Sequence, residues 1–197
     1  MFALFNNRQP CQGCMATAIT GSFYLTETVT LPANTLTGTR VTNTIDLSAY
    51  VNVPTGQCVA IESCDFVHQV GTDYGTDVAA MVQTNGSLST QLTDLNPAGL
   101  LVRADNHSLI ASSGLSIDQA ANLATATADL YPDNFGPAAH SESFMVVNDT
   151  LYLTAGVDRS STNLGSPVYI SVRIRCRVVK LSTKDWMAIA IQSTAEA

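Results

Sequence analysis

Charged residues are scarce in this sequence. Only 13% of its 197 residues are Asp, Glu, Lys or Arg, against about 25% in typical soluble domains. In their place stand 23 threonines and 17 serines, and threonine is a β-branched residue that suits strands. A surface this poor in charge is weakly protected against association. We expect it either to carry a covalent decoration or, as we favour, to be covered by neighbouring subunits.

Other features that the sequence lacks limit the kinds of protein that it can be. The chain has no run of about 20 apolar residues, which a transmembrane helix needs. Its first residues, MFALFNNRQP, lack the basic region and the long apolar segment of a signal peptide. These features predict a soluble chain that no cleaved signal exports. A net charge of −7 disfavours nonspecific wrapping of nucleic acid, which needs many cationic contacts to phosphate.

The residues that most often carry catalysis are few and dispersed. The three histidines, His68, His107 and His140, form no HxH or HExxH pattern, and no GxSxG elbow is present. We therefore expect no enzymatic activity and no cofactor. The segment Gly71–Asp77 could offer carboxylates to calcium, but it lacks the spacing of a calcium-binding loop, and a plain loop between strands explains it as well.

The cysteines leave several alternatives open. Cys11 and Cys14 form a CxxC pair, which is typical of a redox motif or of half a zinc site. Zinc would need four ligands, and Cys58 and Cys64 are the obvious partners, although their spacing is unusual. Ordinary thiols or a single disulfide are the favoured interpretation. Cys64 and Cys176 lie in strand-like stretches and are expected to be buried.

One stretch, Val168–Lys180 (VYISVRIRCRVVK), alternates almost perfectly between apolar and polar residues. Only a β-strand puts alternate residues on opposite faces, so this pattern predicts a strand with one face in a core. At about 3.3 Å per residue, such a strand could run roughly 40 Å. Its polar face lines up Arg173, Arg175 and Arg177, which we call the arginine row.

Further strands are predicted over 17–30, 41–47, 57–70, 78–84, 100–111, 144–147 and 151–155. A bulge near Cys64 would restore the alternation within 57–70. Asn85-Gly86 predicts a tight turn, and Asn148-Asp149 predicts a hairpin. Two segments look helical, Ser116–Leu130 and Ser182–Gln192, the first from the capping-box spacing of Ser116 and Gln119. Many strands with two short helices indicate an all-β antiparallel sandwich or barrel.

Three stretches carry a resemblance to a known family: NTIDLSAYVNVPTGQCVAIESCDF, MVVNDTLYLTAG and YISVRIRCRVVKLSTKDWMAIAIQ. In style they resemble single-jelly-roll major capsid proteins of icosahedral viruses of archaea and bacteria. The resemblance implies a jelly roll of about eight strands over 17–181, with the short connecting helix inside it, and a C-terminal helix and tail over 182–197. Many small capsid proteins have a basic N-terminal arm, which this chain lacks. That difference argues against direct genome packaging and would suit a capsid that lines an internal membrane.

The resulting functional hypothesis is a viral structural protein that assembles with copies of itself, in the virion, after synthesis in the host cytoplasm. A second capsid protein and an internal membrane are further candidate partners, and sequence-specific nucleic-acid binding is not expected. The alternatives are a monomeric module that binds carbohydrate or calcium, and a β-sandwich enzyme. The candidate subunit-contact residues are the arginine row, the terminal helix and the N-terminal segment 1–16, namely Arg173, Arg175, Arg177, Trp186, Phe2 and Phe5.

Overall fold

A computed structural model describes residues 16–70, 81–82, 84–128, 143–158 and 164–194. Within them the chain forms ten β-strands and one α-helix. The strands make two antiparallel sheets that share one core, which confirms the predicted all-β sandwich. Phe2, Phe5, Cys11, Cys14, the 71–77 loop and His140 lie outside the described residues. No described helix has the length and apolar character needed to cross a membrane.

Each sheet contains five strands. The first sheet consists of β1 (Thr17–Ala18), β2 (Phe23–Leu31), β10 (Val168–Lys180), β4 (Gln57–Val70) and β8 (Phe144–Val146). The second sheet consists, in spatial order, of β3 (Arg40–Asp46), β9 (Thr150–Asp158), β5 (Asn85–Thr93), β6 (Leu109–Asp118) and β7 (Leu123–Ala128). A 3-10 turn over Val53–Thr55 precedes β4.

The order of the strands is that of a jelly roll. From β2 to β5, and again from β7 to β10, each strand lies in the opposite sheet from the strand before it. This winding places β2 beside β10 and leaves four strands of the roll in each sheet. The short β1 continues the edge of β2, and β7 adds a fifth strand to the second sheet.

The alternation of β10 is confirmed. Val168, Ile170, Val172, Ile174 and Cys176 are fully buried, and they belong to the core that both sheets enclose. Hydrogen-bonded neighbours lie on both sides of the strand, with β4 along its whole length on one side and β2 followed by β1 on the other. The arginine row therefore lies on the outer face of the first sheet.

The bulge predicted near Cys64 is present, two residues earlier in β4. Arg175 pairs with Ser63 and Cys176 pairs with Ile61, so Glu62 has no partner in β10. The extra residue reverses which positions face the core. Ile61 points inward before the bulge, and Cys64 points inward after it.

The connecting helix predicted over Ser116–Leu130 is wrong for the described part of that segment. Ser116 lies near the end of β6. The strand β7 begins at Leu123 and pairs antiparallel with β6. The Asp118 carboxylate accepts hydrogen bonds from the amides of Ala120 and Ala121, which closes the turn. The alanines favoured a helix by propensity, but strand pairing and this side-chain cap outweigh that preference.

Two turn predictions are also wrong. Asn85 and Gly86 begin β5 and pair with the end of β6, because an Asn-Gly pair permits a tight turn without requiring one. Asn148 and Asp149 do not close a hairpin, since β8 pairs with β4 in the first sheet and β9 pairs with β3 and β5 in the second. They form the crossing from one sheet to the other.

The terminal helix is confirmed as α1 (Thr183–Thr194). The Ser182 hydroxyl accepts a hydrogen bond from the Asp185 amide at 3.2 Å and donates one to the Asp185 carboxylate at 2.6 Å. These reciprocal bonds fix the start of the helix directly after β10. The helix then packs on the outer face of its own first sheet.

Gly56 joins the start of β4 to the end of β10. Its φ is +71°, and a Cβ there would lie 2.5 Å from the Leu181 carbonyl oxygen. Its own carbonyl accepts the Leu181 amide at 2.9 Å. We expect Gly56→Ala to lower the free energy of unfolding by about 2 kcal/mol or more, because backbone strain and a backbone clash add together.

Urea unfolding measures this effect, and Gly21→Ala is the control. A Cβ at Gly21 would meet nothing within 4 Å, so that change should stay within about 0.5 kcal/mol. Equal stabilities of the two variants would contradict the role given to Gly56.

Candidate assembly surface

The arginine row lies near the middle of the outer face of the first sheet. Arg173 pairs across the sheet with Thr26 of β2 and Asp65 of β4. Arg175 stands between Tyr24 and Ser63 in the same way. Exposure decreases along the row, since Arg173 and Arg175 are exposed whereas Arg177 is partly buried.

Glu62 is the counter-ion of two of these arginines. Its carboxylate lies 3.0 Å from Nε of Arg175 and accepts hydrogen bonds from the Arg177 guanidinium through Nε and Nη2. The Ser22 hydroxyl, on the connection between β1 and β2, is 3.0 Å from one Glu62 oxygen and 3.2 Å from the other. The bulge therefore brings an acidic side chain under the row, where it links β4, β10 and the connection between β1 and β2.

The strength of each ion pair depends on how far burial shields it from solvent. Glu62 is 8% exposed, and the Arg177 side chain is 19% exposed, so their pair is shielded from solvent. The Arg175 side chain is 45% exposed, and water screens most of its attraction to the carboxylate. One carboxylate facing two guanidinium groups leaves the cluster with one uncompensated positive charge.

Arg173 is the member of the row that remains available. Among the described residues it has no ion-pair partner, and its guanidinium carbon lies 5.5 Å from the centre of the exposed Tyr24 ring. A cation over an aromatic face gains a modest attraction and keeps its donors free. Arg173 can therefore offer its hydrogen-bond donors to a group outside the chain.

The rest of the open face is mostly polar, and Asp65, beside Arg173, is an exposed acidic residue on it. The hydroxyl groups of Thr28 and Ser171 are 2.7 Å apart and bonded to each other across the strands. The neighbouring outward residues are Thr26, Thr30, Tyr169, Val67 and Gln69. Such a surface loses little hydration when it is covered, compared with a surface of charges.

The helix α1 covers the other part of this outer face. Trp186, Ile189 and Ala190 pack against a second apolar cluster of Cys58, Ala60, Val147, Val179 and Leu181. The structure thus places Trp186 between the helix and its own sheet, with Nε1 buried and without a hydrogen-bond partner among the described residues. Met187 and Ile191, one turn apart, are 54% and 64% exposed on the outward side.

The thiols and histidines of the described residues show no convergent site. No three His, Cys, Asp or Glu side chains in this part of the chain come together to hold a metal ion. Cys58, Cys64 and Cys176 are buried free thiols, as predicted for the last two. Burial, and to a lesser extent the Glu62 carboxylate, raises the pKa of Cys176 to about 12. Burial lowers the pKa of His68, which favours the neutral imidazole.

Glu62, Ser22 and Tyr24 were not predicted from the sequence. The break in alternation within 57–70 indicated the bulge, but pattern alone could not show that the extra residue faces the arginines. Glu62 and Arg177 are 115 positions apart in the chain. Only the pairing of β4 with β10 brings them together.

We expect Glu62→Gln to lower the free energy of unfolding by about 2 kcal/mol, because Arg177 would keep a shielded charge without a counter-ion. Urea unfolding at neutral pH measures the change. Asp65→Asn removes an exposed carboxylate from the same strand and should cost less than about 0.5 kcal/mol. Similar losses in both variants would contradict a special role for Glu62.

Comparisons with known proteins find a distant structural likeness. No protein-family model matches the chain, and no curated protein matches it. Among 43 matching chains of solved structures, one from Desmodium yellow mottle tymovirus is similar over 82% of this chain and 89% of its own, with 10% identity and a TM-score of 0.37. The jelly-roll assignment depends on the strand order of the chain itself.

Proposed function

We propose that this chain is a structural protein that assembles with copies of itself into a viral capsid shell. The observation that carries the proposal is the outer face of the first sheet. On a jelly-roll scaffold it presents a broad hydroxyl-rich surface with the available Arg173 at its centre, beside the exposed Asp65 and Arg175. A face of this kind suits burial against another protein, because few charges would have to lose water.

The distribution of charge favours a second copy as the partner. Positions 173–184 contain five of the nine basic residues and none of the 16 acidic ones. The remainder of the chain is therefore strongly acidic. Asp46 and Asp149 are exposed at one end of the second sheet, and hydrogen bonds from Ser48 lower the pKa of Asp46. Oppositely charged surfaces on identical copies can steer and orient their contact.

The helix α1 supports the same proposal. It leaves Met187 and Ile191 exposed on its outward side, while three of its six apolar residues pack against its own sheet. Trp186 would then act indirectly, by holding the helix in place, and the outward residues would make the contact. Phe2 and Phe5 stay part of the proposed contact surface on the sequence alone.

The proposal also covers the kind of virus and the location. We propose that the chain belongs to the single-jelly-roll capsid proteins of archaeal and bacterial icosahedral viruses, that it is located in the virion and that it assembles in the host cytoplasm. A second capsid protein and an internal membrane are the proposed additional partners. The proposed role involves no enzymatic step and no sequence-specific binding of nucleic acid.

Light scattering after size-exclusion chromatography, followed by electron microscopy, tests the central claim on the purified full chain. We expect shells, rings or other closed oligomers whose population grows with protein concentration. A protein that stays monomeric at high concentration would count against the capsid proposal and favour the monomeric binding module.

Arg173→Glu tests the contact surface. We expect the variant to lose assembly, because the face would then repel acidic surface. Its unfolding free energy should fall by no more than about 1 kcal/mol, because the site is exposed although the new carboxylate would stand opposite Asp65. The same reversal at Arg175 is less informative, since it would place a second carboxylate beside Glu62 and destabilise the monomer.

Arg103→Glu is the matched control. It makes the same change of charge at an exposed arginine outside the first sheet. Assembly should persist in this variant. If Arg173→Glu forms normal particles, or if both variants lose assembly equally, the arginine row is not the contact surface.

A further inference from the structure

The segment between β5 and β6, residues 95–107, lies across the outer face of the second sheet, and we call it the strap. Gln91 points outward from β5, and its side-chain amide binds the strap twice. Nε2 donates to the Val102 carbonyl at 2.8 Å, and Oε1 accepts the Val102 amide at 2.7 Å. Thr93 and Thr154 share this outer face but are 1% and 0% exposed, as expected beneath a cover.

Asp94 stands at the base of the strap. Its amide donates to the Ser108 carbonyl at 3.1 Å, where the strap returns to β6. Its carbonyl accepts the Asn148 side chain at 2.9 Å, on the connection from β8 to β9. Asp94 thus joins the end of β5, the return of the strap and the crossing between the two sheets.

The carboxyl group of Asp94 is poorly suited to carry a charge where it lies. The residue is 4% exposed, and Oδ1 is buried with no hydrogen-bond partner among the described residues. Burial raises the pKa of Asp94 to about 7, and a hydrogen bond from its own backbone acts in the opposite direction. The protonated carboxyl fits this site, whereas the carboxylate would be a buried charge without a counter-ion among the described residues.

Several ionisable groups belong to the segments that meet at Asp94. The strap carries Arg103 and Asp105, which are exposed and 3.8 Å apart at their closest charged atoms, and His107, whose Nδ1 is buried. Asp149 is exposed beside Asn148. Burial is the largest cause of the shift in the pKa of Asp94.

We propose that Asp94 makes the strap a pH-responsive cover, closed over the second sheet while its carboxyl is protonated and released as that carboxyl ionises. The proposal does not depend on a role in a capsid. When the strap is open, water can reach the carboxylate, and its pKa should return toward the ordinary value of 3.8. The closed state binds the proton more tightly, so closure weakens as the pH rises from about 4 to about 7, and above that the loss is complete.

Hydrogen exchange followed by mass spectrometry tests the proposal on the full chain. After correction for the intrinsic pH dependence of exchange, protection of strap peptides should fall on the order of 10–100-fold between pH 5 and pH 9. Peptides from β10 serve as the internal reference and should not change. Asp94→Asn, which imitates the protonated side chain, should remove the pH dependence, and Asp105→Asn, on the same strap, should retain it.

Three results would overturn the proposal: strap protection that does not vary with pH, an equal change in the β10 peptides, or an unchanged pH profile in Asp94→Asn. Should Asp94→Asn fail to fold, the comparison of strap and β10 peptides in the wild-type protein and in Asp105→Asn still decides the matter. A transition confined to the strap supports the proposal, and a global transition rejects it.

Discussion

The structure depends on the pairing of β10 along both of its edges. Because its partners are β4 on one side and β2 with β1 on the other, the strand cannot shift by one residue without turning Ile170, Val172 and Ile174 to the outside. The same constraint that fixes these side chains in the core fixes the arginines on the opposite face. Core and candidate surface are thus two consequences of one register.

The bulge in β4 places an acidic side chain beside the arginines that this register brings to the outer face. A regular β4 would keep either Ile61 or Cys64 out of the core, since the two positions differ by an odd number. The extra residue lets both face inward, and that residue is Glu62, which reaches Arg175 and Arg177. An acidic side chain at this point offsets a row of positive charges that would otherwise repel one another along β10.

Local patterns in the sequence were enough to predict those elements that can be identified without knowing which strands they pair with. The alternation of Val168–Lys180, the broken alternation of Gln57–Val70 and the cap at Ser182 each identify their element. The failures share one cause: Asn148 could not be assigned to a crossing, nor Leu123 to a strand, without knowing which strands pair. The Glu62 cluster and the strap depend on contacts between distant residues for the same reason.

The positions of the ion pairs show what the scarcity of charged residues means for the surface. Several of the few charges in the described residues are neutralised within the chain, as in Arg40 with Asp158 at 2.6 Å and Arg177 with Glu62. The strands between them present threonine, which favours β-structure and hydrates weakly compared with a charge. Covering such a face costs little desolvation, so a few oriented charges such as Arg173 can decide which surface meets it. A charge-rich sheet of the same shape would stay soluble more readily but would resist being covered.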